Sequence, residues 1–230
     1  MNPSSHDRSL MSLNLNGYPF ISGINARAAV LDVDGVLIDF DGNFAAIASE
    51  VLGRAVSKVC NDYSLRKRYA LTEEEFADAW SALETHPNGW GNMPMIPGAV
   101  EAVHRLQNHG YTIHLVTGID ACHSEARLQN LRQNSVEVDS IDCVGRGQNS
   151  KAEHLHRLRP IMYVEDRLAL LNESEHVPYR VFVDHGDTQD GHVVHEDLIH
   201  VRSLAQWVDH VDRLHGGPAE PRMKTRRMVA

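Results

Sequence analysis

A run of apolar residues at 28–31, followed at once by Asp32, Asp34 and Gly35, constrains the fold of this chain more than any other stretch. An apolar run bounded by a turn signal is typical of a strand buried on both faces of a parallel sheet, and we predict a strand over 28–34. Because side chains alternate along a strand, the carboxylates of Asp32 and Asp34 should point in the same direction. Two carboxylates so close repel each other, and the pKa of one should rise unless a cation lies between them. The pair therefore predicts either a metal site or a division of nucleophile and acid roles between the two carboxyl groups.

The second half of the chain alternates short apolar runs with amphipathic stretches. Beyond the first strand we predict strands at 111–116, 141–144, 161–164 and 180–183, with a final helix over 204–211. Strands that alternate with helices form right-handed βαβ units. The predicted fold class is therefore α/β, a Rossmann-like parallel sheet with helices on both faces. Ligands of such sheets bind in the crevice at the carboxyl ends of the strands.

The segment 41–96 differs from the rest because it contains helical stripes and no strand pattern. Phe44 and Trp80 lie on two such stripes and are predicted to be core residues of the segment. Thr72 and Glu75 have the spacing of a capping box at the start of a helix. The predicted organisation is an irregular N-terminal arm at 1–25, an α/β core made of 26–40 and 97–216, a helical insertion at 41–96 and a basic tail at 217–230.

Composition restricts the partners and the compartment. The 230-residue chain has 31 acidic and 22 basic residues and a formal net charge of −9, which argues against a nucleic-acid polymer as its main partner. It has no apolar stretch of about 18 residues, so we expect no membrane-spanning helix and no membrane partner. Three cysteines without CxxC spacing fit a reducing compartment. Since the N-terminus shows no secretory signal pattern, we expect a cytoplasmic protein.

Polar groups follow three of the predicted strands and should meet in one crevice. They are Asp32 with Asp34, Thr117 with Gly118, and Glu165 with Asp166. Lys151, at the start of a predicted helix, is the only lysine in the α/β half of the chain. Acids, a hydroxyl and one ammonium around a crevice are the groups that phosphoryl transfer requires.

The acids can be assigned roles in such a reaction. Asp32 is the predicted nucleophile, which attacks phosphorus and forms an aspartyl-phosphate. Asp34 is predicted to protonate the leaving oxygen and later to deprotonate the attacking water. A Mg²⁺ ion would neutralise the approach of one anion to another, with Asp32, the backbone carbonyl of Asp34 and Asp166 as predicted ligands.

The remaining groups are predicted to bind the phosphate. The hydroxyl of Thr117 and the amide of Gly118, next to a helix N-terminus, would contact phosphate oxygens. Lys151 would offset the charge on the transferred group. Gly35 would allow the chain to turn sharply away from the metal.

These residues carry a resemblance to a known family. The segments 32–36, 115–118 and 164–166, together with Lys151, resemble the four ordered motifs of the haloacid dehalogenase superfamily, across about 28–170. The resemblance implies that the helical insertion is a cap that closes over small substrates. It also implies a phosphatase, because true dehalogenases of the superfamily lack the second aspartate, which is Asp34 here. The fourth motif departs from the usual pattern, since Glu165 stands first; Glu165 is then expected in a second shell or a water-mediated contact.

A narrower likeness is to 5′(3′)-deoxyribonucleotidases. It rests on the segment 32–40 and on 96–99, where the cap rejoins the core. In that family the phenylalanine matching Phe40 packs on the nucleobase, which implies the same for Phe40. Trp90 lies in the other hinge near the crevice and could stack on a base in the same way.

The sequence as a whole indicates a Mg²⁺-dependent phosphomonoester hydrolase that acts on a small soluble phosphate ester, with a nucleoside monophosphate as the leading substrate. Three alternatives remain within related chemistry or the same fold. They are a sugar- or glycolate-phosphate phosphatase, a phosphomutase, and a non-catalytic phosphate-binding protein that has kept the fold.

Overall fold

The computed structural model of the chain describes residues 23–86, 89–145, 151–189, 191, 192 and 194–217. Most of the predicted N-terminal arm and all but the first residue of the predicted basic tail lie outside these residues. No helix within the described ranges is both long enough and apolar enough to cross a membrane.

Within the described residues, six parallel strands form a single sheet. They are β1 (Asn25–Leu31), β2 (Thr112–Thr117), β3 (Ser140–Cys143), β4 (Pro160–Glu165), β5 (Tyr179–Val183) and β6 (Ile199–Val201). Their order is β3-β2-β1-β4-β5-β6, so the direction of winding reverses between β1 and β4. A crevice forms outside the carboxyl ends of the strands at such a reversal. The predicted α/β fold with a Rossmann-like sheet is confirmed.

Helices connect the strands and cover the sheet. They are α1 (Phe40–Leu52), α2 (Leu65–Arg68), α3 (Glu73–Thr85), α4 (Ala99–Asn108), α5 (Ser124–Gln133), α6 (Ala152–Leu158), α7 (Leu168–Asn172) and α8 (Leu204–Leu214). The capping box predicted at the start of α3 is present, since Thr72 and Glu75 bond each other's backbone N–H groups.

The first strand ends three residues earlier than predicted, at Leu31. The N–H of Asp32 still donates to the Val164 carbonyl at 2.9 Å, but the carbonyl of Val33 then accepts the N–H groups of residues 36–38 in a tight turn. Asp34 therefore lies in that turn, and strand alternation does not explain where its carboxylate points.

Helices α1 and α3 pack together through aromatic rings. Phe44 is fully buried, with its ring centroid 5.9 Å from that of Phe76 and 6.1 Å from that of Trp80. The C-terminus of α1 is capped by Gly53 in the left-handed conformation. The helical segment 41–96, which we call the cap, thus contains a cluster of packed aromatic rings, which is continuous with the hydrophobic core under the sheet.

Polar contacts join the cap to the α/β core at the hinge and on the far side of the cap. At the hinge, two backbone segments cross: the N–H of Asp39 donates to Pro94 at 2.9 Å, and that of Ile96 to Leu37 at 2.8 Å. On the far side, a loop that follows β5 holds the cap through a second set of contacts. This set, which we call the clasp, consists of the ion pairs of Asp187 with Lys58 (3.0 Å) and Arg68 (2.6 Å) and the bond from the Thr188 N–H to the Asn61 carbonyl (2.6 Å).

A buried ionic contact joins α4 to α8. Nε2 of His109 lies 2.6 Å from Oδ1 of Asp212, and Nε of Arg105 donates to Oδ2 at 3.0 Å. Burial alone would raise the pKa of Asp212, but the hydrogen bonds from His109 and Arg105 outweigh burial and lower it. A lowered pKa means that folding favours the ionised carboxylate.

We expect Asp212→Asn to lower the free energy of unfolding by about 1–3 kcal/mol near neutral pH, because charged hydrogen bonds are lost. The contribution of Asp212 is present above the pKa it has in the unfolded chain and disappears as the pH falls through its lower folded-state pKa. Urea unfolding at neutral and at acidic pH checks this, with Asp209→Asn as control because the Asp209 side chain is 56% exposed. A difference between wild type and Asp212→Asn that persists at acidic pH would contradict it.

Candidate active site

A cavity of about 560 Å³ lies between the cap and the carboxyl ends of the strands. It brings together all but one of the predicted site residues, namely Asp32, Asp34, Phe40, Trp90, Gly118, Lys151, Glu165 and Asp166. Thr117, the exception, lies at the end of β2, directly before Gly118. Four strand or hinge segments that are distant in sequence thus meet at the predicted crevice.

Lys151 lies at the centre of the acidic groups. Its Nζ is 2.5 Å from Oδ1 of Asp32 and 2.9 Å from Oε2 of Glu165, and only 4% of Lys151 is exposed. Glu165 is fully buried and also accepts a hydrogen bond from the Tyr163 hydroxyl at 2.5 Å. Lys151 therefore links Glu165 to Asp32. The other carboxylate oxygen of Glu165, Oε1, accepts a hydrogen bond from the backbone N–H of Arg167 at 3.2 Å.

The charges of these groups depend on one another. Burial and the neighbouring Glu165 carboxylate raise the pKa of Asp32 to about 7, although Lys151 opposes the shift. Burial and the charges of Glu165 and Asp32 also raise the pKa of Asp166. Burial would raise the pKa of Glu165 as well, but Lys151 outweighs it and the pKa of Glu165 is lowered. The ammonium of Lys151 thus keeps Glu165 ionised, but it does not outweigh the effects that raise the pKa values of Asp32 and Asp166.

A divalent cation fits this set of acids. One carboxylate oxygen from each of Asp32, Glu165 and Asp166 lies within 4.8 Å of the other two. No basic side chain in the described ranges forms an ion pair with Asp166, so three carboxylates face the single ammonium of Lys151. When all three carboxylates are ionised, two negative charges remain, and oxygen ligands of this kind are those that Mg²⁺ prefers. Since Glu165 is already bonded to Lys151 and Tyr163, Asp32 and Asp166 are the carboxylates best placed to bind a metal.

Gly35 has to be glycine for two reasons. Its φ is +85°, in the left-handed region, and a Cβ at this position would overlap Oδ2 of Asp166 and lie 2.9 Å from its Cγ. Its carbonyl is also 2.7 Å from Nε2 of His185 in the loop that carries the clasp. The predicted sharp turn is present, and it additionally allows the backbone to approach Asp166.

We expect Gly35→Ala to displace the Asp166 carboxylate and to weaken Mg²⁺ binding by the acidic cluster by about 100-fold, because small displacements of groups at a site are costly. Calorimetric Mg²⁺ titration measures the effect. Gly53→Ala is the matched control, since Gly53 also has a positive φ of +61° but nothing within 4 Å of an added Cβ. Equal losses in both variants would show that backbone strain, not the contact with Asp166, is responsible.

The end of β2 offers a hydroxyl and an open backbone surface. Thr117 is fully buried, and its Oγ1 has no hydrogen-bond partner among the described residues. The next residue, Gly118, lines the cavity, and a Cβ added there would meet nothing within 4 Å. An unsatisfied buried hydroxyl is uncommon, and a ligand oxygen would satisfy it.

The carboxylate of Asp34 is bonded to an arginine that had no predicted role. Nη2 of Arg127, in α5, lies 2.6 Å from Oδ1 of Asp34, and Arg127 is fully buried. Burial raises the pKa of Asp34, while Arg127 opposes the shift. The sequence contains one indication that Arg127 is buried: it lies on the same helical stripe as Leu131, which is also fully buried.

Aromatic rings form the wall of the cavity beside the hinge. The ring centroids of Phe40 and Trp90 are 6.0 Å apart with nearly parallel planes, and Trp80 lies 6.1 Å from Phe40. Trp80, predicted as cap core, lines the cavity too, which the helical stripe could not indicate. Trp90 is 5% exposed, and its Nε1 has no partner in the part of the chain that the structure describes. The wall therefore offers aromatic rings to a planar group.

Comparison with known proteins supports this fold. No family model matches the chain. It is 31% identical, over 111 residues, to a protein from Oceanobacillus iheyensis described as a "putative nucleotidase"; the match covers 47% of this chain and 57% of that protein. The chain thus spans little more than half the length of this relative.

Solved structures with a similar fold cover most of the chain, as two examples show. One is a haloacid dehalogenase-like hydrolase from Streptococcus pneumoniae, with a TM-score of 0.55, 15% identity and coverage of 81% of this chain and 98% of that one. The other is a "predicted phosphoglycolate phosphatase" from Haemophilus somnus, with a TM-score of 0.54, 16% identity and the same two coverages, 81% and 98%. At such identities the likeness concerns the fold.

Proposed function

We propose, from its haloacid dehalogenase-like fold, that this protein is a Mg²⁺-dependent phosphomonoester hydrolase. The fold confirms the resemblance seen in the sequence. The proposed reaction proceeds through an aspartyl-phosphate on Asp32. The observation that carries the proposal is the position of the Asp32 carboxylate, which is bonded to Lys151, lies beside two further acids and lines the cavity under the cap.

In the first half of the reaction, an oxygen of Asp32 attacks phosphorus while the alcohol leaves. Asp34 donates a proton to the departing oxygen. The Thr117 hydroxyl and the Gly118 amide donate to oxygens of the phosphoryl group, and Lys151 offsets its charge. In the second half, Asp34 takes a proton from the water that attacks the aspartyl-phosphate.

A Mg²⁺ ion held by Asp32, Asp166 and the backbone carbonyl of Asp34 would reduce the repulsion between the attacking carboxylate and the phosphate. The two negative charges left by the three acids and Lys151 support this assignment. Glu165 acts through Lys151, whose ammonium it orients.

The cavity supports a small substrate with a planar group. Its volume of about 560 Å³ is in the range of small-molecule sites. The wall made of Phe40, Trp80 and Trp90 suits a nucleobase, and the relative described as a nucleotidase supports the same class. We therefore propose a nucleoside monophosphate as substrate, rather than a nucleic-acid polymer, in the cytoplasm, where free Cys60, Cys122 and Cys143 stay reduced.

A panel of phosphate esters tests this function. With Mg²⁺ present, we expect kcat/KM for nucleoside monophosphates to exceed that for sugar phosphates and phosphoglycolate, and chelation of the metal to stop the reaction. Equal rates for all esters would overturn the nucleotide assignment. Release of an isomeric phosphate ester instead of inorganic phosphate would indicate a phosphomutase, and binding of phosphate without any turnover would indicate a non-catalytic protein.

A further inference from the structure

We propose that Arg127 is a positioning residue, which holds the carboxylate of Asp34 in the orientation needed for proton transfer to the leaving alcohol. The inference rests on the proposed function, because it assigns a residue to the same site. Within the described residues Arg127 forms no ion pair with Asp32, Glu165 or Asp166, and the site carboxylate that it contacts is that of Asp34.

The contact is direct and shielded from water. Arg127 is 0% exposed and Asp34 is 23% exposed at the side chain, with 2.6 Å between Nη2 and Oδ1. Within the described residues, Arg127 provides the only ion pair of Asp34. A buried hydrogen-bonded ion pair of this kind fixes the geometry of the carboxylate more firmly than water would.

Arg127 is in turn held by the hinge. Its Nη1 lies 3.5 Å from the Met93 sulfur, and its guanidinium carbon lies 5.3 Å from the ring centroid of Trp90. On the next helical turn, Asn130 donates to the carbonyl of Met93 at 2.9 Å. The guanidinium is thus enclosed between Asp34, the hinge segment and the aromatic wall.

Stability alone does not account for this arginine. Its Nε is buried without a partner, and replacing a buried ion pair by apolar side chains is often neutral or stabilising. The chain therefore keeps an incompletely satisfied guanidinium and a carboxylate at a place where a pair of apolar residues could fill the space without loss of stability. A requirement for an oriented Asp34 explains why.

The contact also selects which oxygen of Asp34 carries the proton. Because Oδ1 accepts the hydrogen bond from Arg127, Oδ2 is the oxygen left to carry the proton whenever Asp34 is protonated. As the bond from phosphorus to the alcohol oxygen breaks, that oxygen takes the proton from Oδ2, and Asp32 takes the phosphoryl group. In the second step Oδ2 receives a proton from the attacking water, whose oxygen bonds to phosphorus, and Asp32 is released as a carboxylate.

The test compares two leaving groups in Arg127→Met. The quantity is kcat/KM, which reports only the steps up to departure of the alcohol. A nucleoside monophosphate has a poor leaving group that needs the proton, so kcat/KM should fall by about 100-fold or more. p-Nitrophenyl phosphate has a good leaving group that needs no proton, so its kcat/KM should change by less than about fivefold. Arg127→Lys should restore part of the lost nucleotide activity.

Two further variants separate positioning from a structural role. Arg132 lies on the same helix with a 60% exposed side chain, so Arg132→Met should change kcat/KM for neither ester. In an Asp34→Asn background, Arg127→Met should cause no additional loss with the nucleotide, because both changes remove the same proton transfer.

The outcomes are distinct. Equal losses with both esters in Arg127→Met, or a full additional loss in the Asp34→Asn background, would show a structural role and overturn the inference while leaving the proposed function intact. If thermal unfolding shows that Arg127→Met does not fold, Arg127→Lys decides, since it must still lose more activity with the nucleotide than with p-nitrophenyl phosphate. Wild type that hydrolyses neither ester would overturn the proposed function instead.

Discussion

Asp32→Asn is expected to lower kcat/KM for p-nitrophenyl phosphate and for nucleoside monophosphates by at least about 10⁴-fold, because an amide cannot form the aspartyl-phosphate. The volume of the side chain is kept and its oxygen can still accept the hydrogen bond from Lys151, so the fold should persist. Release of inorganic phosphate measures the loss, and circular dichroism with thermal unfolding checks the fold.

Asp209→Asn is the control for the loss of one carboxylate, since Asp209 lies on α8 with a 56% exposed side chain, away from the cavity. It should retain wild-type activity. Substantial turnover by Asp32→Asn in a folded protein would mean that another group attacks phosphorus and that the assignment of the nucleophile is wrong.

The second large effect is expected from Lys151→Met. This change leaves the carboxylates of Asp32, Glu165 and Asp166 close together without the ammonium that separates two of them. Without Mg²⁺ the free energy of unfolding should fall by about 3 kcal/mol or more, as for other broken buried pairs. Activity should fall by about 100- to 1,000-fold because charge on the transferred group is no longer offset.

Mg²⁺ should raise the melting temperature of Lys151→Met more than that of wild type, because the ion would then supply the missing positive charge. Thermal unfolding with and without Mg²⁺ measures the difference, and Lys67→Met, at a 58% exposed side chain on the cap, is the control. A Lys151→Met protein as stable as wild type, with no larger response to Mg²⁺, would contradict the charge balance on which the metal assignment rests.

The sheet and the acidic centre could be predicted because their signals are local. The buried runs of β1 and β4 end in acids, and parallel strands place such ends at one edge. Lys151 stands close to Asp166 in the sequence. The structure accommodates the short spacing, since α6 has only seven residues and β4 begins at Pro160.

The parts that could not be predicted depend on long-range contacts or on very short elements. Arg127 and Asp34 are 93 residues apart, and helical periodicity shows that a side chain is buried without showing what it meets. Trp80 has the spacing of a core residue and serves both the cap core and the cavity wall. The strand β6 has three residues, too few for an alternating pattern to be distinguished from a loop.

The clasp has a mechanical consequence. A rotation of the cap about its hinge would have to separate Asp187 from two cations at once, whereas the crossing backbone segments at the hinge could stay paired. The residue after the clasp, Gln189, donates to the carbonyl of Asp166 at 2.6 Å. The outer side of the cap and the backbone of Asp166 are therefore connected through one short loop. Added salt weakens exposed ion pairs such as that of Lys58 with Asp187, so it would act on the side of the cap opposite the hinge.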